Sequence, residues 1–241
     1  MANLIIDIGN TAVKVAWSEG MTLGKTYRYQ GEKIKDFILS LTVKEKPEVM
    51  VISSVYVISQ SDVALYEKEC ARLIILDGAH SDVLKEKGLP GHLTYDRAAS
   101  IIAVRYLFKG KGCTIFDFGN TLTVDNIDAG GAWSGGNVSL GCRTRFKALN
   151  RYSRALPLVT APEETELVGN TFKTALTSGV ITGMLFEIEG YIRLNPDNIV
   201  IFTGGDAIYF AKRMKNSIFV IYNLVLLGLA IIADENVKKN I

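Results

Sequence analysis

The chain has 241 residues, 48% of them hydrophobic and 22% charged, with a formal net charge of +2. That length supports one large or two modest cores, and the near balance of charge argues against a basic nucleic-acid surface or electrostatic attachment to acidic membranes. Cys70, Cys113 and Cys142 contain no CxxC and are odd in number, so they read as reduced thiols of a cytoplasmic protein and not as a disulfide framework.

In chain order, the apolar run LIIDI (Leu4–Ile8) predicts a buried strand, Gly9-Asn10 a two-residue hairpin turn with positive φ, and TAVKVAW (Thr11–Trp17) the returning strand. GKTYRYQ (Gly24–Gln30) adds a third antiparallel strand. A helix over Lys33–Leu41, a strand at Val49–Ile52, a helix over Ser61–Ala71 and a strand at Leu73–Leu76 follow. Gly78–Tyr95, with Gly88, Pro90 and Gly91, reads as a loop leading into a helix that opens near Asp96.

The pattern then begins again. CTIFDF (Cys113–Phe118) predicts a strand, Gly119-Asn120 a turn, and TLTVDNID (Thr121–Asp128) the next strand. A third strand near Gly131–Trp133 is expected before a turn at SGGN (Ser134–Asn137), then helices over Leu140–Asn150 and Lys173–Arg193, a strand at Ile199–Thr203 and a helix from Asp206. The apolar stretch Ser217–Ala233 is slightly short for a membrane span and is broken by Tyr222, Asn223 and Gly228; it reads as a strand at Ile218–Ile221 followed by a helix opened by Asn223. No export signal is expected, because Asp7 interrupts the N-terminal apolar run. The expectation is a duplicated α/β chain of two lobes, residues 1–112 and 113–241, each a hairpin-led mixed sheet with flanking helices, divided near Gly110–Gly112.

The two turns carry the chemistry. IDIGNT (Ile6–Thr11) and FDFGNT (Phe116–Thr121) place Asp, Gly, Asn and Thr identically after an apolar strand. A glycine turn lets an anion approach backbone amides, and the preceding Asp can hold a cation that bridges phosphates. Two such turns, one per lobe, suit a polyphosphate gripped from both sides. A third site, TGGDA (Thr203–Ala207), sets two glycines between a strand and a helix, where adenosine could pack. With only His80 and His92 present, a Ser-His-Asp triad or a His-rich zinc site is disfavoured, and no GxxxxGK[ST] P-loop exists.

Together these motifs resemble the sugar-kinase, Hsp70 and actin superfamily and, more narrowly, the type III pantothenate kinases. YDRAAS (Tyr95–Ser100) matches the DR element of that family's substrate motif, Gly130–Val159 is similar to the stretch leading to its dimer-forming helix, and ALTSGVITG (Ala175–Gly183) to its later small-residue helix. The resemblance implies an actin-like (ribonuclease H-like) fold and ATP-dependent phosphorylation of pantothenate, the first step towards coenzyme A. It also implies a cytoplasmic homodimer that uses Mg²⁺ and a monovalent cation, K⁺ or NH₄⁺, with no nucleic-acid or membrane partner. By the same resemblance Asp7, Ile8, Gly9, Asn10, Thr11 and Lys14 would hold ATP phosphates, with Asp7 reaching Mg²⁺ through them. Asn120 and Thr121 would contact nucleotide, and Gly204 and Gly205 would form the adenosine floor. Asp117 would bind the monovalent cation, Asp96 would be the general base, and Thr94, Tyr95, Asp96, Arg97 and Phe172 would meet pantothenate.

Three positions depart from the family pattern on the pantothenate side. Thr94 stands where the family usually has Gly, Lys87 where it has Tyr, and Phe172 where it has a Thr that reaches across the dimer, with Thr171 adjacent. The phosphate motifs are complete. Two other readings therefore stand beside the pantothenate kinase: a superfamily kinase acting on another small hydroxyl compound, and a non-catalytic nucleotide-binding regulator similar to the Bvg accessory factors.

Overall fold

The computed structural model describes residues 2–80 and 82–238. Two compact units are present, one made of the residues up to Leu107 together with those from Asn223 onward, the other of Phe108–Tyr222. The first holds strands β1 (Asn3–Ile8), β2 (Val13–Glu19), β3 (Thr22–Tyr29), β4 (Val49–Ser54) and β5 (Arg72–Leu76), in the order β3-β2-β1-β4-β5. The second holds β6 (Cys113–Phe118), β7 (Thr121–Ile127), β8 (Trp133–Leu140), β9 (Ile199–Gly204) and β10 (Ile218–Val220), in the order β8-β7-β6-β9-β10. Directions repeat as well: the first three strands of each unit are antiparallel neighbours, and the last two run parallel to the first. The repeated DxGNT thus marks a repeated fold.

Parallel neighbours need crossovers, and helices supply them. Helices α1 (Ile34–Thr42), α2 (Gln60–Tyr66), α3 (Asp82–Glu86) and α4 (Tyr95–Leu107) belong to the first unit; α5 (Cys142–Tyr152), α6 (Phe172–Leu194) and α7 (Ala207–Ala211) belong to the second. All six residues of β1 are buried. Side chains alternate along a strand, so Leu4, Ile6 and Ile8 share one face, where they join Ile38 of α1 and Tyr66 of α2. In the second unit Phe116 and Phe118 of β6 pack with Ile181, Met184 and Ile188 of α6. Each fully buried Ile or Phe contributes about 1.5–3 kcal/mol relative to exposure. Thr171 caps α6 by accepting from the Thr174 amide at 3.2 Å, and Thr174 reaches back to the Thr171 amide at 2.9 Å.

Four expectations are corrected. A division near Gly112 would put helix α8 (Leu224–Lys238) in the second lobe, but it packs in the first unit. Its apolar residues surround most of the helix, so it needs cover on several sides, and α4 and strands β1 and β4 give it. A Cβ at Gly228 would fall 1.9 Å from the Ala99 carbonyl oxygen, so the absent side chain lets α8 meet α4 closely. Ser134–Asn137 is not a turn; it lies inside β8, with Gly135 at φ +128° next to a register shift. The loop Gly78–Tyr95 contains α3. Last, none of Gly9, Asn10, Gly119 and Asn120 has positive φ. Residues 9–12 form a four-residue connection between paired Ile8 and Val13, and residues 119–121 a three-residue one between Phe118 and Leu122. Among the described residues no helix is long and apolar enough to cross a membrane.

Candidate active site

The first loop leaves β1 at Ile8, and the Gly9 amide donates to the Ala12 carbonyl at 3.1 Å. Asp7 is 9% exposed and lies in register with Lys14 of β2, so the two side chains share a sheet face. Lys14 is half-buried, not the exposed alternating residue its neighbours Val13 and Val15 would suggest. Asn10 and Thr11 are exposed. A Cβ at Gly9 would meet only the Ala12 carbonyl oxygen, at 3.5 Å, and one at Gly119 only the Thr121 carbonyl oxygen, at 3.5 Å. Neither backbone conformation nor packing demands these two glycines.

In the second loop the Gly119 amide donates to the Thr121 carbonyl at 3.0 Å. The Asn120 carbonyl accepts from the Gly141 amide at 2.9 Å and from Thr144 Oγ1 at 2.7 Å, which ties the loop to the start of α5. Gly141 is compelled: a Cβ there would lie 2.0 Å from the Gly119 carbonyl oxygen. Gly204 is equally compelled. It has φ +90°, and a Cβ would fall 2.5 Å from Asp117 Oδ1 and 2.6 Å from the Phe118 amide nitrogen. Asp117 and the TGGD turn are therefore neighbours, with Gly205 donating to the Phe118 carbonyl at 2.9 Å. Asp206 occupies the N-cap position of α7 but makes no side-chain cap bond; burial pushes its carboxyl above the ordinary aspartate value.

Asp96 is the second residue of α4 and not its N-cap, since the Ala98 amide donates to the Thr94 carbonyl. Asp96 Oδ1 accepts from the Arg97 amide at 2.8 Å, which orients the carboxylate at the helix N-terminus. Tyr95, Asp96 and Arg97 are half-buried, and Thr94 is exposed. Burial and then the charge of Asp77 raise the Tyr95 phenol. Phe172, at the first position of α6, is 57% exposed. The neighbouring Thr171 hydroxyl is engaged in its cap, 2.8 Å from Thr174 Oγ1. Lys87 is held by an ion pair with Glu235 of α8, while its carbonyl accepts from Arg105 at 2.7 Å.

Sequence reasoning missed Gly141, whose need is visible only once β8 and α5 bring it against the second loop. It also missed Asp77, a buried carboxylate outside every recognised motif. The thiols take no part in acid–base chemistry at neutral pH: burial pushes Cys70 and Cys113 up to about 11 and Cys142 to about 12.

The family model described as type III pantothenate kinase matches residues 3–194. A type III pantothenate kinase of Phocaeicola vulgatus is 36% identical over 98% of this chain and 99% of its own length. One from Cytophaga hutchinsonii is 35% identical over 98% of this chain and all of its own. Among solved structures, a Baf family protein from Campylobacter jejuni is similar with a TM-score of 0.65 at 19% identity, covering 98% of this chain and 99% of its own. The activator of 2-hydroxyisocaproyl-CoA dehydratase from Clostridium difficile, with bound ADPNP, has a TM-score of 0.61 at 13% identity, covering 100% and 97%. A ROK hexokinase from Thermus thermophilus has 0.57 at 11%, covering 99% and 100%. These last likenesses bear on the fold, which is that of the actin-like sugar kinases.

Proposed function

This chain belongs to the type III pantothenate kinase family, and from that premise we propose that it transfers the γ-phosphoryl group of ATP to the primary hydroxyl of pantothenate, the first step towards coenzyme A. The observation that carries the residue assignment is the pair of loops whose glycines the chain itself does not require. Asp7, Ile8, Gly9, Asn10, Thr11 and Lys14 hold the phosphates, with the amides after Gly9 facing the anion because that of Gly9 closes the turn. Asn120, Thr121, Gly204 and Gly205 contact the nucleotide.

Phosphoryl transfer asks mainly for positioning and charge neutralisation. Asp96 accepts the hydroxyl proton as the new oxygen–phosphorus bond forms and the bond to ADP breaks; its Arg97 contact fixes one carboxylate oxygen and leaves the other for the acceptor. Arg97 binds substrate beside it, with Thr94 and Tyr95, and Phe172 holds the position that in the family reaches across the dimer. Among the described residues no cluster of three or more acidic, His or Cys side chains could hold a metal alone. Mg²⁺ usually takes one or two carboxylates and completes its shell with phosphate oxygens and waters; Asp7 would supply the carboxylate. Mg²⁺ would neutralise phosphate charge, and Asp117 would hold K⁺ or NH₄⁺.

A second copy of this chain covers the apolar groove of about 600 Å³ lined by Leu140, Leu149, Tyr152, Leu176 and Val180, beside which Tyr152 is 85% exposed. The enzyme is read as a cytoplasmic homodimer, a state that sedimentation measures directly. A mass-spectrometric assay with ATP, Mg²⁺, pantothenate and either K⁺ or Na⁺ tests the reaction. Phosphopantothenate forming faster with K⁺ supports the assignment. ATP binding without that product points to another acceptor or to a regulator.

A further inference from the structure

Strands β1 and β4 run parallel, with Ile8 in register with Ser54. The Val55 amide donates to the Ile8 carbonyl at 3.1 Å. Val55 is therefore level with Gly9, about one strand spacing (roughly 4.8 Å) from the first loop. Both segments leave the carboxyl end of a parallel pair, the edge at which open α/β sheets bind ligands.

Val55, Tyr56 and Val57 are 46%, 48% and 58% exposed. Single exposed apolar residues are ordinary, but a consecutive run of them is an error in a sequence unless it has a function. This run is also held still. Ser54 Oγ donates to the Tyr56 carbonyl at 2.6 Å and accepts from the Tyr56 amide at 3.2 Å. The Ile58 amide donates to Oδ2 of Asp77 at 2.8 Å, and Asp77 is fully buried just after β5. Asp77 Oδ1 accepts in turn from the Ala79 and His80 amides at 2.9 and 3.1 Å. Val57 lies against the same turn, since a Cβ at Gly78 would fall 3.2 Å from Val57 Cγ2. The backbone of the run is thus fixed at Val55, Tyr56 and Ile58, while its apolar side chains face water. Apolar groups fixed in this way bind a ligand at little ordering cost.

The reaction sets what can lie there. In-line transfer needs the acceptor hydroxyl within about 3–3.5 Å of the phosphorus, and the phosphates are held at the first loop. The carbon that bears the primary hydroxyl of pantothenate is bonded to a carbon carrying two methyl groups, so a small branched apolar group arrives beside the loop with the hydroxyl. A polar part of either substrate would lose hydrogen bonds against valine side chains; the dimethyl carbon would not. We propose that Val55, with Val57 beside it, is a specificity-determining residue: its side chain packs against the two methyl groups next to the acceptor hydroxyl and selects a branched acceptor over an unbranched one. The role rests on the pantothenate kinase reading.

The test measures kcat and KM for ATP, for pantothenate and for the analogue that lacks both methyl groups, in wild type, Val55→Ala, Val57→Ala and Val43→Ala, beside the melting temperature. Val43, 80% exposed, is the control. It follows α1, whose last residue Thr42 donates to Glu69 ahead of β5, at the opposite edge of the sheet. An apolar site resolves one methylene by about 10- to 200-fold in kcat/KM, so wild type should prefer pantothenate to the analogue by about tenfold or more. That preference should fall about fivefold or more in Val55→Ala, less in Val57→Ala and not at all in Val43→Ala. Alanine keeps the amide bond from position 55 to Ile8, so KM for ATP should stay at the wild-type value. A wild-type preference retained in both Val55→Ala and Val57→Ala would overturn the assignment, as would equal losses towards pantothenate and the analogue, or a wild type that uses both alike. If Val55→Ala does not fold, Val57→Ala decides. Absence of product from wild type with pantothenate would instead refute the functional reading itself.

Discussion

Replacing Gly9 by alanine separates a glycine kept for a ligand from one kept for the fold. The added Cβ would lie 3.5 Å from the Ala12 carbonyl oxygen, an ordinary contact, and Gly9 does not have positive φ. The native backbone accepts alanine, so the substitution should leave the unliganded protein unchanged or more stable by about 0.4–1 kcal/mol, through the reduced freedom of the unfolded chain. A methyl group in the phosphate approach should displace at least one charge-assisted hydrogen bond, worth about 1.5–3 kcal/mol, which raises the Kd for ATP roughly 10- to 150-fold. Gly204→Ala is the control. There φ is +90° and the Cβ would meet Asp117 Oδ1 at 2.5 Å, so a loss of several kcal/mol, roughly 3 or more, is expected. Thermal melts without nucleotide and calorimetric titration with ATP read the two quantities separately. A Gly9→Ala protein that melts as early as Gly204→Ala, or that binds ATP like wild type, would refute the reasoning.

Asp206→Asn should stabilise the protein at neutral pH. Burial raises the Asp206 carboxyl in the fold, so its contribution is fully present below the unfolded value near 3.9 and lost as pH rises through the raised folded one; the melting-temperature gain should therefore grow from about pH 4 upward, and a variant destabilised at pH 7 would contradict the assignment. Gly228→Ala should destabilise by about 2 kcal/mol or more, because its Cβ would overlap the Ala99 carbonyl oxygen at 1.9 Å; a wild-type melt would deny the close contact of α8 with α4. Iodoacetamide at pH 8 should modify Cys70, Cys113 and Cys142 slowly in the folded protein and quickly in urea, since thiols raised to about 11 or 12 are almost wholly protonated; rapid labelling of the native protein, read by intact mass, would contradict it.

The hairpins and parallel strands were legible because buried central strands leave continuous apolar runs, and DxGNT recurs at the head of each unit. The turn conformation was not: Gly-Asn favours a two-residue hairpin, but pairing of Ile8 with Val13 and Phe118 with Leu122 sets longer connections with ordinary φ. SGGN reads as a turn by composition, and only its pairing with β7 makes it strand. The place of α8 was hidden because local pattern reports that a helix needs burial, not which sheet buries it. Asp77 was invisible for a related reason, since its partner Ile58 is 19 positions away and contributes a backbone amide, which leaves no mark in the sequence. Asp96 was found through its Arg neighbour, although its carboxylate orients by bonding the Arg97 amide and does not cap the helix in the usual way.

The most direct test of the central claim is wild type beside Asp96→Asn, with phosphopantothenate followed by mass spectrometry and ATP binding by calorimetry. The account predicts product from wild type, a loss of roughly 100-fold or more in turnover for the variant, and equal ATP affinity in both. Undiminished turnover in Asp96→Asn, or loss of ATP binding in step with activity, would contradict the role of Asp96 as the base that takes the proton from the pantothenate hydroxyl.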